Sequence, residues 1–312
     1  MRTILPAVVL LLSACTEAAP SRRAPADTLI VYAAASLSAP LRTALDSFAR
    51  RTGAVVLEEH GASLELARRI TELHRVPDVI ALADQEVFPE LLMPSVTSWY
   101  SAFARNRMVI AYTDRSRHAA DIRADNWWKV VLRDDVLLGR TDPLLAPAGY
   151  RTLLLYALAE ATYHERGLSG RLTAKSPPRL MRGNAAELAA LLSAGELDYI
   201  VEYESLARAQ HFRFIELPPQ LHLGDPAFAA EYAKVRVQIG AGGDTVTRRG
   251  APILYGLSVP RSAPHADVGA RFVQFLLGAE GRASLRAQNV DALDEPIFVG
   301  DSIPALVRAT TP

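Results

Sequence analysis

The 312-residue chain contains a single cysteine, Cys15, and equal numbers of basic and acidic side chains, 34 of each. One cysteine cannot form an intramolecular disulfide, so this thiol needs another explanation. The balanced charge argues against the strongly basic surface that a nucleic-acid backbone requires, and we expect no nucleic-acid partner. Beyond the amino terminus, no apolar run approaches the roughly 20 residues that a membrane-spanning helix needs.

Recognisable catalytic patterns are also missing. The chain has neither a Gly-Lys-Ser/Thr phosphate loop nor a Gly-x-Ser-x-Gly motif. Its histidines show no metal-ligand spacing and are His60, His74, His118, His164, His211, His222 and His265. His60 lies beside Gly61 and Ser63 and is a conceivable base, but a histidine at a strand end more often has no chemical role. We therefore expect no enzymatic activity and no cofactor.

The amino terminus has the features of an export signal. Arg2 supplies a basic start, and an apolar run of about nine residues ends at Leu12, shortly before Cys15. The Leu-Ser-Ala-Cys sequence resembles the bacterial lipobox, whose cysteine is lipidated and becomes the new amino terminus. The alternative is an ordinary signal peptide with a chance cysteine. We expect residues 1–14 to be removed and residues 15–27, rich in Ala, Pro and Ser, to form a flexible tether.

Strand and helix patterns alternate through the remaining chain. Apolar residues recur at helical spacing in two stretches, Leu41-Leu45-Phe48 and Leu66-Ile70-Leu73, and again at 270–277. Short β-rich runs precede or separate these helices, at residues 28–34, 55–57, 78–82, 136–138 and 199–201. Repeated βα units of this kind predict an α/β fold with mainly parallel sheets flanked by helices.

Two further β-rich runs, 107–112 and 253–259, lie about 145 residues apart. A discontinuous first lobe, 28–110 together with 254–312, would explain this order if a second lobe, 111–253, is inserted between two crossing strands. The chain length also suits two domains. One large doubly wound sheet is the alternative that the pattern leaves open.

Four segments place small or hydroxyl-bearing residues between a strand and a helix. A helix amino terminus presents unpaired N–H groups and a positive dipole end, which together favour an anion. Ser36, Ser38 and Ser63 are each also explained as a plain helix cap. Parallel sheets gather such turns along one edge, so four of them favour an anion-sized site. The segments are residues 35–38, 61–63, 146–150 and 202–205.

The order of motifs resembles the tungstate/molybdate-binding subunits of ABC transporters, from Leu29 to about Ile297. Its most specific pieces are Phe103-Ala-Arg-Asn106 and Gly149-Tyr-Arg151. The other matching segments are residues 32–37, 61–63, 77–84, 99–113, 147–151, 202–205 and 252–256. The resemblance implies a two-lobed periplasmic-binding-protein fold of type II, joined by crossing hinge strands.

The resemblance also implies a function. A monomer anchored outside the cytoplasm through Cys15, in the periplasm or at the cell surface, captures tungstate or molybdate between its lobes. It then delivers the anion to the permease and ATPase subunits of an ABC importer. The residues implied at the ligand are Ser36, Ser63, Ala148, Gly149, Tyr150, Glu202 and Tyr203, with Glu202 contacting the metal of the oxyanion.

One position departs from the family pattern. In the tungstate-specialised branch a second carboxylate, an aspartate, occupies the place of Ala146. A carboxylate repels a dianion unless it bonds the metal directly, so Glu202 favours tungstate or molybdate over sulfate, whereas Ala146 weakens that preference. Asp142 is either a replacement ligand or a turn residue. Alternatives are a binding protein for another oxyanion, such as sulfate or phosphate, and a binding-impaired lipoprotein acting as a sensor or interaction module.

Overall fold

The computed structural model describes residues 27–240 and 245–309. Within this part of the chain, no helix combines the length and the apolar character needed to cross a membrane. The expected signal segment, Cys15 and all but the last residue of the expected tether lie outside the described residues.

The described strands contribute to two large sheets and one hairpin. In chain order they are β1 (Thr28–Ala34), β2 (Val55–Gly61), β3 (Val79–Leu82), β4 (Trp99–Arg105), β5 (Met108–Tyr112), β6 (Leu138–Thr141), β7 (Met181–Arg182), β8 (Tyr199–Tyr203), β9 (Arg213–Glu216), β10 (Arg236–Ile239), β11 (Val246–Arg249), β12 (Leu254–Ser258) and β13 (Asp291–Gly300).

Helices cover the two large sheets. In chain order they are α1 (Ser38–Thr52), α2 (Ser63–Leu73), α3 (Trp127–Val131), α4 (Pro147–Tyr163), α5 (Leu168–Lys175), α6 (Ala185–Ala194), α7 (Glu204–Ala209), α8 (Ala229–Tyr232), α9 (Ala266–Leu277), α10 (Ala279–Ala287) and α11 (Ala305–Arg308). Short 3₁₀ turns occupy Ala35–Leu37, Pro178–Leu180 and Pro226–Phe228, and a π-helical turn occupies Phe88–Leu92.

The first sheet has the strand order β13-β4-β12-β3-β1-β2, and the second has the order β7-β6-β8-β5-β9. The predicted two-lobed α/β fold is confirmed, but both sheets are mixed rather than mainly parallel. Only β1, β2 and β3 run parallel in the first sheet, and only β6, β7 and β8 in the second. The crossing strands cause the difference, because β4, β5 and β12 pair antiparallel with their neighbours.

The chain crosses between the sheets at two short connections. Asn106 and Arg107 join β4 of the first sheet to β5 of the second, and residues 250–253 lead back from the β10–β11 hairpin to β12. All of β5 pairs with β8, from Met108 opposite Tyr203 to Tyr112 opposite Tyr199. The predicted boundary at residue 110 therefore falls inside a strand of the second lobe.

Asn106 ties the two crossings together. Its side-chain amide is buried, donates to the Ser205 hydroxyl at 2.7 Å and also bonds the Tyr255 hydroxyl. The side-chain carbonyl oxygen of Asn106, Oδ1, accepts the N–H of Arg107 at 2.9 Å. Because Ser205 belongs to α7 and Tyr255 to β12, one side chain joins both lobes at the point where the chain passes between them.

Helix α4 is apolar on nearly every side, as a helix enclosed by protein must be. Leu154, Leu155 and Tyr156 are consecutive and all buried, although successive side chains point about 100° apart around the helix. Pro147 occupies the first turn, where its missing N–H costs nothing. This burial fixes the position of the α4 amino terminus, which faces the first lobe.

Candidate functional site

A small cavity lies where the two sheets face each other. Its volume is about 20 Å³, space for about one or two water-sized groups, which excludes a sugar or a peptide. The first lobe lines it with Ala34, Ala35, Ser36, Gly61, Ala62, Ser63 and Ala83. The second lobe lines it with Thr141, Ala146, Pro147, Ala148, Asn184, Ala185, Glu202 and Tyr203.

Three side-chain oxygens at this cavity are buried without a hydrogen-bond partner among the described residues. They are Ser36 Oγ, Thr141 Oγ1 and Glu202 Oε2. The Tyr255 hydroxyl accepts a hydrogen bond from the Asn106 amide and interacts weakly with Ser36, without a well-formed hydrogen bond to Ser36 Oγ. Buried polar atoms in native proteins are nearly always paired, so three unpaired oxygens around one cavity indicate a polar ligand.

Ser63 supplies a further donor from the first lobe. Its hydroxyl oxygen accepts the N–H of Ala83 at 3.1 Å, and Ser63 is almost fully buried at the start of α2. A serine hydroxyl can accept and donate at the same time. The bond to Ala83 therefore orients Oγ and leaves its hydrogen for the cavity.

Helix amino termini surround the cavity. Ser63 opens α2, Ala148 lies in the first turn of α4, and Ala185 opens α6. The residues preceding α2 and α4, Ala62 and Ala146, provide no side-chain cap. First-turn N–H groups lack partners within the helix, and the helix dipole makes this end positive. The cavity is thus surrounded by the kind of donors that bind anions.

Within residues 27–240 and 245–309, no lysine, arginine or histidine lines the cavity. Any negative charge bound there is neutralised by dipoles and hydroxyl groups, not by a formal cation. Hydrogen bonds of this kind to a charged group contribute roughly 1.5–3 kcal/mol each. Several of them acting together can hold an anion that is stripped of water.

Among the described residues, Glu202 is the only carboxylate that lines the cavity, and it is completely buried near the end of β8. Its Oε1 accepts the N–H of Tyr203 at 3.0 Å. Burial raises the pKa of Glu202 to about 8, and the bond from Tyr203 offsets only part of that effect. In the ligand-free protein this carboxyl group is therefore mostly protonated at neutral pH.

The structure brings five of the seven predicted ligand residues to the cavity: Ser36, Ser63, Ala148, Glu202 and Tyr203. The remaining two, Gly149 and Tyr150, do not line it. A Cβ atom on Gly149 would meet the Asp142 carbonyl at 2.6 Å, so this glycine allows α4 to pack against the preceding loop. The Tyr150 hydroxyl donates to Asp84 instead. Each step along a helix turns the side chain by about 100°, so neighbours of Ala148 point elsewhere.

The second lobe answers one question left by the sequence and adds two residues to the cavity. Asp142 is a turn residue, because its Oδ1 accepts the N–H of Leu144 at 2.8 Å and its carbonyl oxygen accepts the N–H of Ala146. Thr141 and Asn184 line the cavity but were not predicted. Asn184 precedes an alanine-rich helix and caps it by accepting the N–H of Glu187, a signal that the sequence does contain.

Comparison with known proteins agrees with this architecture. Residues 29–288 match the model of the bacterial extracellular solute-binding protein family. The chain belongs to this family. The family resemblance inferred from the sequence motifs is thereby confirmed, and with it an extracytoplasmic solute-binding role.

Individual relatives cover most of the chain. An uncharacterized solute-binding protein of Petrotoga mobilis is 36% identical over 271 residues, covering 86% of this chain and 84% of the relative. The molybdate/tungstate-binding protein WtpA of Thermococcus kodakarensis is 32% identical over 302 residues, covering 88% and 84%. The sulfate-binding protein SubI from Mycobacterium tuberculosis H37Rv shares the fold, with a TM-score of 0.62 at 14% identity over 91% and 90% of the two chains.

The buried carboxyl group predicts a pH dependence of stability. Folding raises the pKa of Glu202 from its ordinary 4.5 to about 8. Between these values the folded protein keeps a proton that the unfolded chain loses, so the free energy of unfolding falls as the pH rises. In urea titrations of the ligand-free protein from about pH 5 to pH 8, Glu202→Gln should show a shallower fall than the wild type, by on the order of a few kcal/mol.

The matched control is Glu72→Gln, which changes an exposed glutamate on α2. It should retain the wild-type slope. Parallel stability curves for the wild type and Glu202→Gln would contradict the assignment of a protonated, buried Glu202.

Proposed function

We propose that the protein captures tungstate or molybdate in the cavity between its lobes and delivers the anion to the permease and ATPase of an ABC importer. The observation that carries the proposal is the set of unpaired buried oxygens, Ser36 Oγ, Thr141 Oγ1 and Glu202 Oε2, around one small cavity between the lobes. Two of these belong to residues that can donate hydrogen bonds as hydroxyl groups, and first-turn N–H groups add further donors.

The donors suit a fully deprotonated oxyanion. Every oxygen of tungstate, molybdate or sulfate is an acceptor, so a cavity lined by N–H and O–H donors satisfies all of them. The absence of a cation among the lining residues is consistent with a site that recognises geometry and hydrogen bonding as well as charge. Closure of the lobes around the anion removes water and strengthens these interactions.

Glu202 is compatible with a group-six oxyanion. If it loses its proton when the anion binds, its carboxylate can ligate a tungsten or molybdenum centre, whereas sulfate offers no centre that it can reach. The family relative WtpA is named for molybdate and tungstate binding. Because Ala146 lines the cavity and Asp142 is held in a turn, no second carboxylate is available. Bound tungstate should therefore have fewer than six ligands.

Sulfate is the second candidate. The fold similarity to the sulfate-binding protein SubI and the missing second carboxylate both leave room for it. A binding-impaired lipoprotein is less well supported, because a chain that had lost its ligand would gain stability by replacing the unpaired buried groups at Ser36, Thr141 and Glu202.

Direct titration distinguishes these functions. Calorimetry of the purified protein with tungstate, molybdate, sulfate and phosphate should show tight binding of a group-six oxyanion and weaker binding of sulfate. Ser36→Ala should weaken the binding by about one to two decades, because a hydrogen bond to a charged ligand is worth roughly 1.5–3 kcal/mol. Ser193→Ala changes an exposed serine outside the cavity and should leave affinity unchanged.

Preferential binding of sulfate or phosphate would transfer the assignment to that anion. Absence of heat with all four anions, together with unchanged melting temperatures, would contradict the proposed function altogether.

We further propose that the mature protein is held at the membrane by a lipid on Cys15. The support is the short apolar segment and the lipobox-like sequence that ends at this residue. Cys15→Ser should move the protein from the detergent phase to the aqueous phase in a partition assay of cell extracts. Retention of Cys15→Ser in the detergent phase would contradict lipid anchoring.

A further inference from the structure

A buried ion pair joins the lobes beside the anion cavity. Arg151, on α4 of the second lobe, lies with Nη2 at 2.9 Å from Oδ1 of Asp84, which follows β3 of the first lobe. Their side chains are 2% and 1% exposed. Arg151 Nη1 also donates to the Ala251 carbonyl at 3.0 Å, and the Tyr150 hydroxyl donates to Asp84.

The pair does not stabilise either lobe by itself, because its two partners belong to different lobes. Opening the cleft would separate Arg151 from Asp84 and return both groups to water. Closing it desolvates both charges at once, which is favourable only when they meet in good geometry. The ion pair is therefore a property of the closed arrangement.

The anion cavity and the ion pair share one dipeptide, Ala83-Asp84. The N–H of Ala83 is held by Ser63 Oγ at 3.1 Å, and the Ala83 carbonyl accepts the Tyr203 hydroxyl at 3.4 Å. Both Ser63 and Tyr203 line the cavity. Asp84, the next residue, makes the contacts to α4. Ala83, which lines the cavity, and Asp84, which forms the interlobe ion pair, are thus joined by a single peptide bond.

A second interlobe contact lies on the other side of the cavity. The N–H of Leu64, in the first turn of α2, donates to the Leu145 carbonyl in the loop before α4 at 3.3 Å. Further interlobe contacts are the Tyr203 hydroxyl with the Ala83 carbonyl and an ion pair of Arg248, on β11, with Glu90. Glu90 is 38% exposed, whereas both partners of the Asp84–Arg151 pair are almost completely buried.

We propose that Arg151 is a positioning residue for anion retention: its ion pair with Asp84 forms as the lobes close and holds them closed over the ligand. The inference rests on the proposed function, since it assumes an anion in the cavity. Capture by the open form precedes formation of the pair. The pair should therefore slow anion dissociation and leave the association rate nearly unchanged.

The arrangement has a distinctive signature in variants. Arg151→Met leaves the buried Asp84 carboxylate without its cationic partner, and Asp84→Asn leaves the buried Arg151 guanidinium without its anionic partner. Either change opposes closure. The double variant has no charge to bury, so it should close more readily than either single variant. A residue that acted only in folding would not produce this recovery in ligand dissociation.

The experiment is stopped-flow measurement of association and dissociation, using the anion from the panel that the wild type binds most tightly. Arg151→Met should accelerate dissociation on the order of a hundredfold, with association changed by less than about threefold. The double variant Asp84→Asn/Arg151→Met should dissociate more slowly than Arg151→Met. Equal dissociation rates for the wild type and Arg151→Met, or additive effects in the double variant, would overturn the proposal.

The matched control is Arg117→Met. Arg117 pairs with Asp198 at 2.8 Å, but both residues belong to the second lobe. Loss of this pair should lower the melting temperature without accelerating dissociation. A comparable acceleration in the control would mean that the effect of Arg151→Met reflects general destabilisation, which also overturns the proposal.

A ligand-free readout separates failure of this inference from failure of the proposed function. Spin labels at Glu72→Cys on the first lobe and Glu196→Cys on the second, in a Cys15→Ser background, report the interlobe distance. Both positions are exposed. The closed population should be reduced by Arg151→Met and partly restored in the double variant. If no anion binds to the wild type, the proposed function fails, and an interlobe distance unaffected by Arg151→Met then overturns this inference as well.

Discussion

Burial of polar groups that have no partner in the protein is the constraint on which the site depends. Ser36 Oγ, Thr141 Oγ1 and Glu202 Oε2 lie in a space of about 20 Å³. Each unpaired buried group costs on the order of 1–3 kcal/mol. The alanines around the cavity have no side-chain donors or acceptors, so they do not pair with these oxygens. Because their side chains are small, a ligand can approach the backbone N–H groups closely. A ligand rich in acceptor oxygens would satisfy the hydroxyls and the N–H groups together.

Among the described residues, none of those that line the cavity is a cation, and the nearby Asp84–Arg151 ion pair does not line it. Arg151 is neutralised by Asp84, and burial leaves Glu202 protonated because it raises the pKa of that residue to about 8. The same distribution divides the tasks of the site between two sets of groups. We propose that hydroxyls and helix amino termini provide recognition, and that the interlobe ion pair at Asp84 sets how long the lobes remain closed.

Patterns local in sequence predicted much of this structure. The β-rich run at residues 28–34 and the apolar spacing from Leu41 to Phe48 became β1 and α1, and motif resemblance identified Ser36, Ser63 and Glu202 as cavity residues. Contacts between residues that are far apart in the sequence could not be predicted from these local patterns. The Asp84–Arg151 pair joins residues 67 positions apart in different lobes. Likewise, the position of Thr141 at the cavity follows from the pairing of β6 beside β8, which no local pattern specifies.

Anomalous diffraction from crystals grown with tungstate tests the central claim most directly. Data collected on both sides of a tungsten absorption edge locate the metal without assumptions about its surroundings. The account predicts one strong peak between the lobes, with its oxygens in contact with Ser36, Ser63 and Thr141 and with the Glu202 carboxyl nearby. Absence of a peak in this cavity, or a dominant peak elsewhere on the protein, would contradict it.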